Sequence, residues 1–195
     1  MTLAELIKLS AGEEVSMAPS ESAAVAGWVR ELAAGLGRPL VCAEIGTWCG
    51  WTAILMALSG ARVLCVDPFT GADEQTHAAA SRLGGATLER FIANAWMAGV
   101  GDRVVGVVGF SVEVAQMLPD EVFDLVFIDG DHSEVSVKAD CLAWAPKVRP
   151  GGALGGHDAH QIQVGKAVHA AVAILGWPGL GYRDGHPLWL VMRPK

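Results

Sequence analysis

A chain of 195 residues, 52% hydrophobic and only 18% charged, can bury a substantial core, which excludes an intrinsically disordered protein. A net charge of −7, with arginines and lysines scattered along the chain, excludes nucleic acid as the expected partner, because phosphate neutralisation requires a basic surface. No apolar stretch reaches the length of a membrane span, and the first ten residues, with Glu5 and Lys8, lack a signal pattern. Cys42, Cys49, Cys65 and Cys141 show no Cys-x-x-Cys spacing for zinc or thiol exchange, so a cytoplasmic protein with reduced thiols is expected.

Residues 1–18 mix polar and apolar side chains and read as either a lid over a site or a tail. Helical spacing of Ala24, Val25, Trp28, Val29 and Leu32 predicts a helix over 21–34, with Ser20 as its N-cap. A strand over 40–45, a glycine turn over 46–50, a helix over 51–58 and a strand over 63–66 follow. Residues 68–85 lose clear periodicity and read as a loop with one short helix. Beyond it come a helix over 87–98, a strand over 103–108, a helix over 112–117, a strand over 123–128 and a helix over 138–145. A turn at 150–152 leads into a strand over 153–156, then a helix over 164–175. Strands near 177–182 and 188–192 flank an Asp-Gly turn and form a hairpin. The alternation predicts a single α/β domain over 1–195. Its sheet is Rossmann-like, seven-stranded and mostly parallel, with an antiparallel C-terminal hairpin and helices on both faces.

The most informative segment is Val41-Cys-Ala-Glu-Ile-Gly-Thr-Trp-Cys-Gly-Trp-Thr52. It sets a tight turn at the carboxyl end of a buried strand, where open α/β sheets bind ligands, and follows it with a helix N-terminus. Gly46 is read as allowing the chain to turn and approach a ligand, and Gly50 as letting the helix pack near the strand. Trp48 and Trp51 flank the turn as core residues or as walls of a pocket. Asp67 closes the next apolar run, where such folds place a ribose-binding carboxylate. The spacing is Glu-x-Gly-x-x-x-Gly, not the Gly-x-Gly-x-x-Gly of dinucleotide binders.

These residues resemble motif I and the following acidic motif of class I S-adenosylmethionine-dependent methyltransferases. Phe123-Asp-Leu-Val-Phe-Ile-Asp-Gly-Asp-His-Ser133 and Val148-Arg-Pro-Gly-Gly-Ala-Leu-Gly-Gly-His-Asp158 resemble a subgroup of small bacterial members. The resemblance runs from Leu40 to the C-terminus and implies S-adenosylmethionine as cofactor. It assigns Glu44, Gly46, Thr47 and Gly50 to the cofactor turn, Asp67 to the ribose, Ser111 to the adenine, and Asp129 to the same crevice. Ser111 reads equally well as a helix N-cap.

Asp129, Asp131 and His132 end the fourth strand, and His157 and Asp158 end the fifth, so potential ligands converge. Similarity to catechol- and caffeoyl-type O-methyltransferases implies a divalent metal on Asp129, His157 and Asp158. His157 departs from the carboxylate of those enzymes, which leaves magnesium or a transition metal open. The competing account has Asp129 and Asp158 capping turns while His132 bonds locally. His132 and Asp129 are the candidate catalytic groups, with His157 and His160 as other bases. The implied reaction is methyl transfer to an oxygen of a small-molecule acceptor, with residues 1–18 and 68–85 bordering its pocket. A nicotinamide-dependent oxidoreductase and a non-catalytic nucleoside-binding protein are the rivals, and a homo-oligomeric assembly stays open.

Overall fold

The computed structural model describes residues 17–71, 77–78, 80–81, 85–183 and 185–195. The expected lid or tail over 1–18, and much of 68–85, therefore lie outside the described residues. Among those described, six α-helices alternate with seven strands. In chain order they are α1 (Pro19–Leu36), β1 (Val41–Ile45), α2 (Trp51–Leu58), β2 (Arg62–Asp67), α3 (Thr87–Met97), β3 (Val104–Val108) and α4 (Ser111–Met117). Then follow β4 (Phe123–Ile128), α5 (Glu134–Trp144), β5 (Val148–Gly156), α6 (Ile162–Leu175), β6 (Gly181–Tyr182) and β7 (Trp189–Met192).

The sheet order is β3-β2-β1-β4-β5-β7-β6, parallel from β3 through β5 and antiparallel where β7 joins β5 and β6. It reverses direction between β1 and β4, the switch point where the carboxyl ends of parallel strands open a crevice. Strand parity sorts the side chains between two cores. Cys42, Cys65, Leu125 and Phe127 pack against α1, α2 and α3. Ala43, Ile45, Val126, Ile128 and Trp189 pack against α4, α5 and α6. β4 is buried along its whole length because helices cover both faces, whereas β3 at the edge is half exposed.

Four of the departures from the expected boundaries have an identifiable physical cause. The N-cap of α1 is Ala18, whose N–H is taken by Glu21 Oε2 at 2.7 Å, and Pro19 fills the first helical position, so Ser20 is not the cap. α5 starts at Glu134 because Ser133 accepts from the Ser136 N–H and Asp131 accepts from the Ser133 N–H. Its first turn exposes Val135, so apolar periodicity begins too late to reveal it. β5 starts at Val148, with a register shift between the Phe123 and Leu125 pairs that accommodates Pro150 and Gly151. β6 is two residues long, with Pro178 and Gly179 before it.

At the opposite end of the sheet from the crevice, Asp124 is only 2% exposed and gathers β1, β4 and β5. Its carboxylate accepts from Arg38 at 2.7 and 2.8 Å, Arg149 at 2.9 Å and the Val41 N–H at 2.9 Å. Burial pushes its pKa up, but these donors outweigh it and hold the carboxyl below the usual range. A folded pKa below the unfolded one adds stability above the unfolded value, which is lost as pH falls through the folded one. Asp124→Ala should therefore lower stability at neutral pH by about 2–4 kcal/mol, leaving a buried N–H unpaired. Urea unfolding at pH 7 and pH 3 checks this, and the gap between wild type and variant should narrow at the lower pH.

Candidate active site

The glycine turn is shaped first by the protein itself. Ile45 O accepts from the Asp129 N–H at 2.8 Å, which draws the end of β4 against the end of β1. Gly46 has φ +86°, and a Cβ on it would lie 2.0 Å from Asp129 O. The turn thus needs glycine for strand contact, a constraint added to the expected approach of a ligand. Gly50 has φ +88°, and a Cβ there would lie 2.4 Å from Phe91 Cδ2, so this glycine clears space for an α3 side chain.

Two buried acids stand on the α1–α3 side of this turn. Glu44 is 2% exposed, and burial together with Asp129 pushes its pKa well above the ordinary value. Glu44 Oε2 and the nearby Thr47 Oγ1 are both buried without a hydrogen-bond partner among the described residues. Asp67 accepts from the Trp48 N–H at 2.8 Å and the Phe69 N–H at 2.5 Å. Burial raises its pKa, while those N–H groups oppose the rise. Trp48 and Phe69 both have positive φ, 52° and 57°, a costly conformation for bulky side chains that Asp67 holds in place. Trp51 donates its indole N–H to Ser22 of α1 and is a packing residue rather than a wall.

On the other side of the switch point, five titratable side chains meet. Asp158 Oδ2 lies 2.8 Å from His132 Nε2 and 3.0 Å from His157 Nδ1. Burial raises the Asp158 pKa, but the two imidazoles outweigh it and hold it far below the carboxylate range. His157 Nδ1 is also 3.7 Å from Asp129 Oδ1, and its Nε2 is 3.1 Å from Glu21 Oε2. Burial lowers the His157 pKa, yet Asp158, Asp129 and Glu21 raise it to about 9, so the ring is an imidazolium with both N–H groups engaged. Burial lifts Asp129 to about 6, against the pull of His157. Among the described residues, ligand atoms of Asp129, His132 and Asp158 converge within 4.8 Å of one another. His132 joins this group, while the expected ligand His157 lies against the same two carboxylates, at 3.7 Å from Asp129 and 3.0 Å from Asp158. His160 is exposed, 3.8 Å from Asp158. Glu21 is a site residue that sequence reading missed, since an acid in a helix's first turn is ordinarily a dipole partner and nothing local marks its reach across the fold.

Ser111 begins α4, but Phe110 is the N-cap and the Ser111 hydroxyl accepts from the Trp144 indole at 2.8 Å, so its side chain serves the contact between α4 and α5. A cleft beside Asp129 and His132 is walled by Ile128, Val137, Val164 and Trp189.

Residues 43–159, more than half of the chain, match the family model described as a methyltransferase domain. The chain belongs to that family. Solved structures agree on the fold. The O-methyltransferase NovP shares 17% identity and a TM-score of 0.74, over 99% of this chain and 98% of its own. A methyltransferase from Geobacter sulfurreducens shares 16% and 0.72, over 99% and 88%. The Bacillus cereus O-methyltransferase, solved in complex with SAH, shares 18% and 0.69, over 98% and 90%. The fold of this methyltransferase is the class I fold, and its crevice is the one between β1 and β4. No helix among the described residues is long and apolar enough to cross a membrane.

The two turn glycines of the methyltransferase differ in what a side chain would meet. Gly46→Ala drives a Cβ into backbone, which cannot rotate away, and adds the cost of positive φ, about 1–2 kcal/mol. Gly50→Ala meets the edge of the Phe91 side chain instead of backbone, with the same cost of positive φ. Both should lower the thermal midpoint, and Gly46→Ala should lower it more.

Proposed function

We propose that the protein transfers the methyl group of S-adenosylmethionine to an oxygen of a small-molecule acceptor in the crevice between β1 and β4. The observation that carries this reading is the pair of unsatisfied buried oxygens, Glu44 Oε2 and Thr47 Oγ1, at the switch point of a methyltransferase-family fold. A buried carboxylate beside a single hydroxyl calls for a donor-bearing, cationic ligand, and the amino acid end of the cofactor supplies one. Asp67 keeps lone pairs for ribose hydroxyls after accepting two backbone N–H groups, because a carboxylate offers about four acceptor sites. Ser111 contributes through its backbone at the adenine end, since its hydroxyl is engaged. When bound, the cofactor supplies an electrophilic methyl group on a good leaving group, and alignment is the protein's main task.

Asp129 and His132 flank the acceptor, and with no metal bound His132 is the base that takes its proton. A divalent metal fits Asp129, His132 and Asp158, two carboxylates and an imidazole, a donor set suited to a transition metal. There it would lower the pKa of the acceptor hydroxyl. His157, gripped by Glu21 and Asp158, fixes the carboxylate that His132 also touches.

Glu44→Gln separates binding from folding. The amide keeps the shape and removes a buried ionisable group, so the ligand-free protein should be at least as stable. Affinity for S-adenosylmethionine should fall about tenfold by calorimetry. Equal affinity would remove Glu44 from the site, and tighter binding of a nicotinamide cofactor would overturn the function. The metal is tested separately. Chelation should abolish transfer without unfolding and a divalent ion should restore it, whereas full activity in protein shown metal-free by elemental analysis overturns it.

A further inference from the structure

The two edges of the sheet are built differently. At one end β6 is two residues long and follows Pro178 and Gly179, a short edge that offers little backbone for pairing. At the other end β3 runs Val104-Val-Gly-Val-Val108 without proline, lysine or any other charge, and Gly106 at its middle is exposed. The Arg103 carbonyl accepts from the Val63 N–H and the Gly109 N–H donates to Asp67 O, so alternate residues from 103 to 109 face β2. The N–H and C=O groups of Val104, Gly106 and Val108 therefore point away from the sheet. Val105 is 59% exposed and Val108 61%. α3 extends this apolar edge. Phe91 and Ala95 face the sheet, and Asn94 donates to Cys49 O in the glycine turn, so the side of α3 that carries Ile92 and Trp96 looks over the free edge. Both side chains are exposed, Trp96 by 66%, and its ring lies against Gly101 where the chain enters β3.

An open apolar edge of this kind is a template for another strand, and native proteins ordinarily block it. The strand that fits here is a second β3. Val-Val-Gly-Val-Val reads the same in both directions, and an isologous two-fold contact requires that self-complementarity. Antiparallel pairing about Gly106 sets Val104 against the partner's Val108 and Gly106 against the partner's Gly106, pairs that exchange their outward N–H···O bonds. Val105 then meets the partner's Val107 as a close pair on the α4 side of the sheet. On the other side α3 crosses the strand at its centre, since a Cβ on Gly106 would lie 3.0 Å from Phe91 Cε1, which sets Ile92 beside the axis. We propose that β3 is the interface of a homodimer, in which a second copy of this chain joins its own β3 antiparallel across a two-fold axis at Gly106. The two sheets become one, and Ile92 and Trp96 of each copy pack against the other. The pairing does not depend on the chemistry of the crevice.

Sedimentation of the full chain should show a dimer. Val105→Lys should raise its dissociation constant about a hundredfold, because two ammonium groups would then meet across the axis. Val105 is exposed in the protomer, so circular dichroism of the variant should remain that of the folded protein. The register is tested by mixing Val105→Cys chains with Val107→Cys chains under mild oxidation. The mixture should cross-link about fivefold faster than either variant alone, since only unlike chains bring the thiols directly opposite. The native cysteines are all buried and stay out of this reaction. If Val105→Lys does not fold, the cysteine mixture decides. A wild type that stays monomeric at its highest soluble concentration, a folded Val105→Lys that dimerises as tightly as wild type, or no excess cross-link in the mixture overturns the proposal. Amide exchange identifies any other occupant: the Gly106 N–H should be protected in the dimer and exchange quickly in Val105→Lys. Protection of Gly106 in a monomeric wild type assigns the edge to another segment of this chain and overturns the homodimer.

Discussion

The contact between the ends of β1 and β4 governs the rest of the site. Ile45 O accepts the Asp129 N–H, and Gly46 has no room for a Cβ against the Asp129 backbone. This brings the buried Glu44, on one side of the sheet, into the field of the half-buried Asp129, so that each carboxyl lies near another acid. Loss of hydration disfavours their charge, and mutual repulsion disfavours it further for Glu44. A crevice built this way is poised for positive charge at two places. Within the protein, the His157 imidazolium answers the need at β5, and at β1 the need stays open for a ligand.

Strain clusters at the same edge. Trp48, Phe69 and Asp158, three of the four described non-glycine residues with positive φ, follow β1, β2 and β5 directly. Each is held by an ionisable side chain: Asp67 accepts the N–H of Trp48 and Phe69, and two imidazoles hold the carboxylate of Asp158. Such conformations cost about 1–3 kcal/mol each and persist only where surroundings determine them. Asp67 therefore has a structural task of its own, because it holds both turns that bracket the crevice at β1 and β2. Phe69 is locked further by stacking on Phe91, with ring centroids 5.9 Å apart, and by the Thr87 hydroxyl on its carbonyl. The chain leaving β2 starts as a fixed structure and not as a loose loop.

The sheet, its seven strands and its antiparallel edge were legible because apolar runs separated by glycine and helical periodicity are local signals. Glu44, Gly46 and Asp67 were legible for the same reason, as each sits at a fixed offset from a strand end. What stayed hidden depends on distant partners. Glu21 lies 136 residues from His157 along the chain, and Asp124 draws on Arg38 and Arg149. Ser111 looked like a cap until Trp144 took its hydroxyl. The place of His132 beside Asp129 and Asp158 is of the same kind, since it turns on side-chain directions at a strand end.

Glu21 gives the first helix a part in the chemistry of the fifth strand. Its carboxylate closes the α1 N-terminus on the Ala18 N–H and pairs with His157 Nε2, so one side chain joins a helix cap to the active centre. The pairing fixes which nitrogen of His157 faces Asp158, and Asp158 in turn faces His132. α1 is also pinned to α2 by Ser22 on Trp51 and by Met17 against Thr52. A displacement of α1 would therefore disturb the glycine turn through α2 and the acceptor side through His157 together. Packing on one face of the sheet and ion pairing across its edge thus set both halves of the crevice by a single helix.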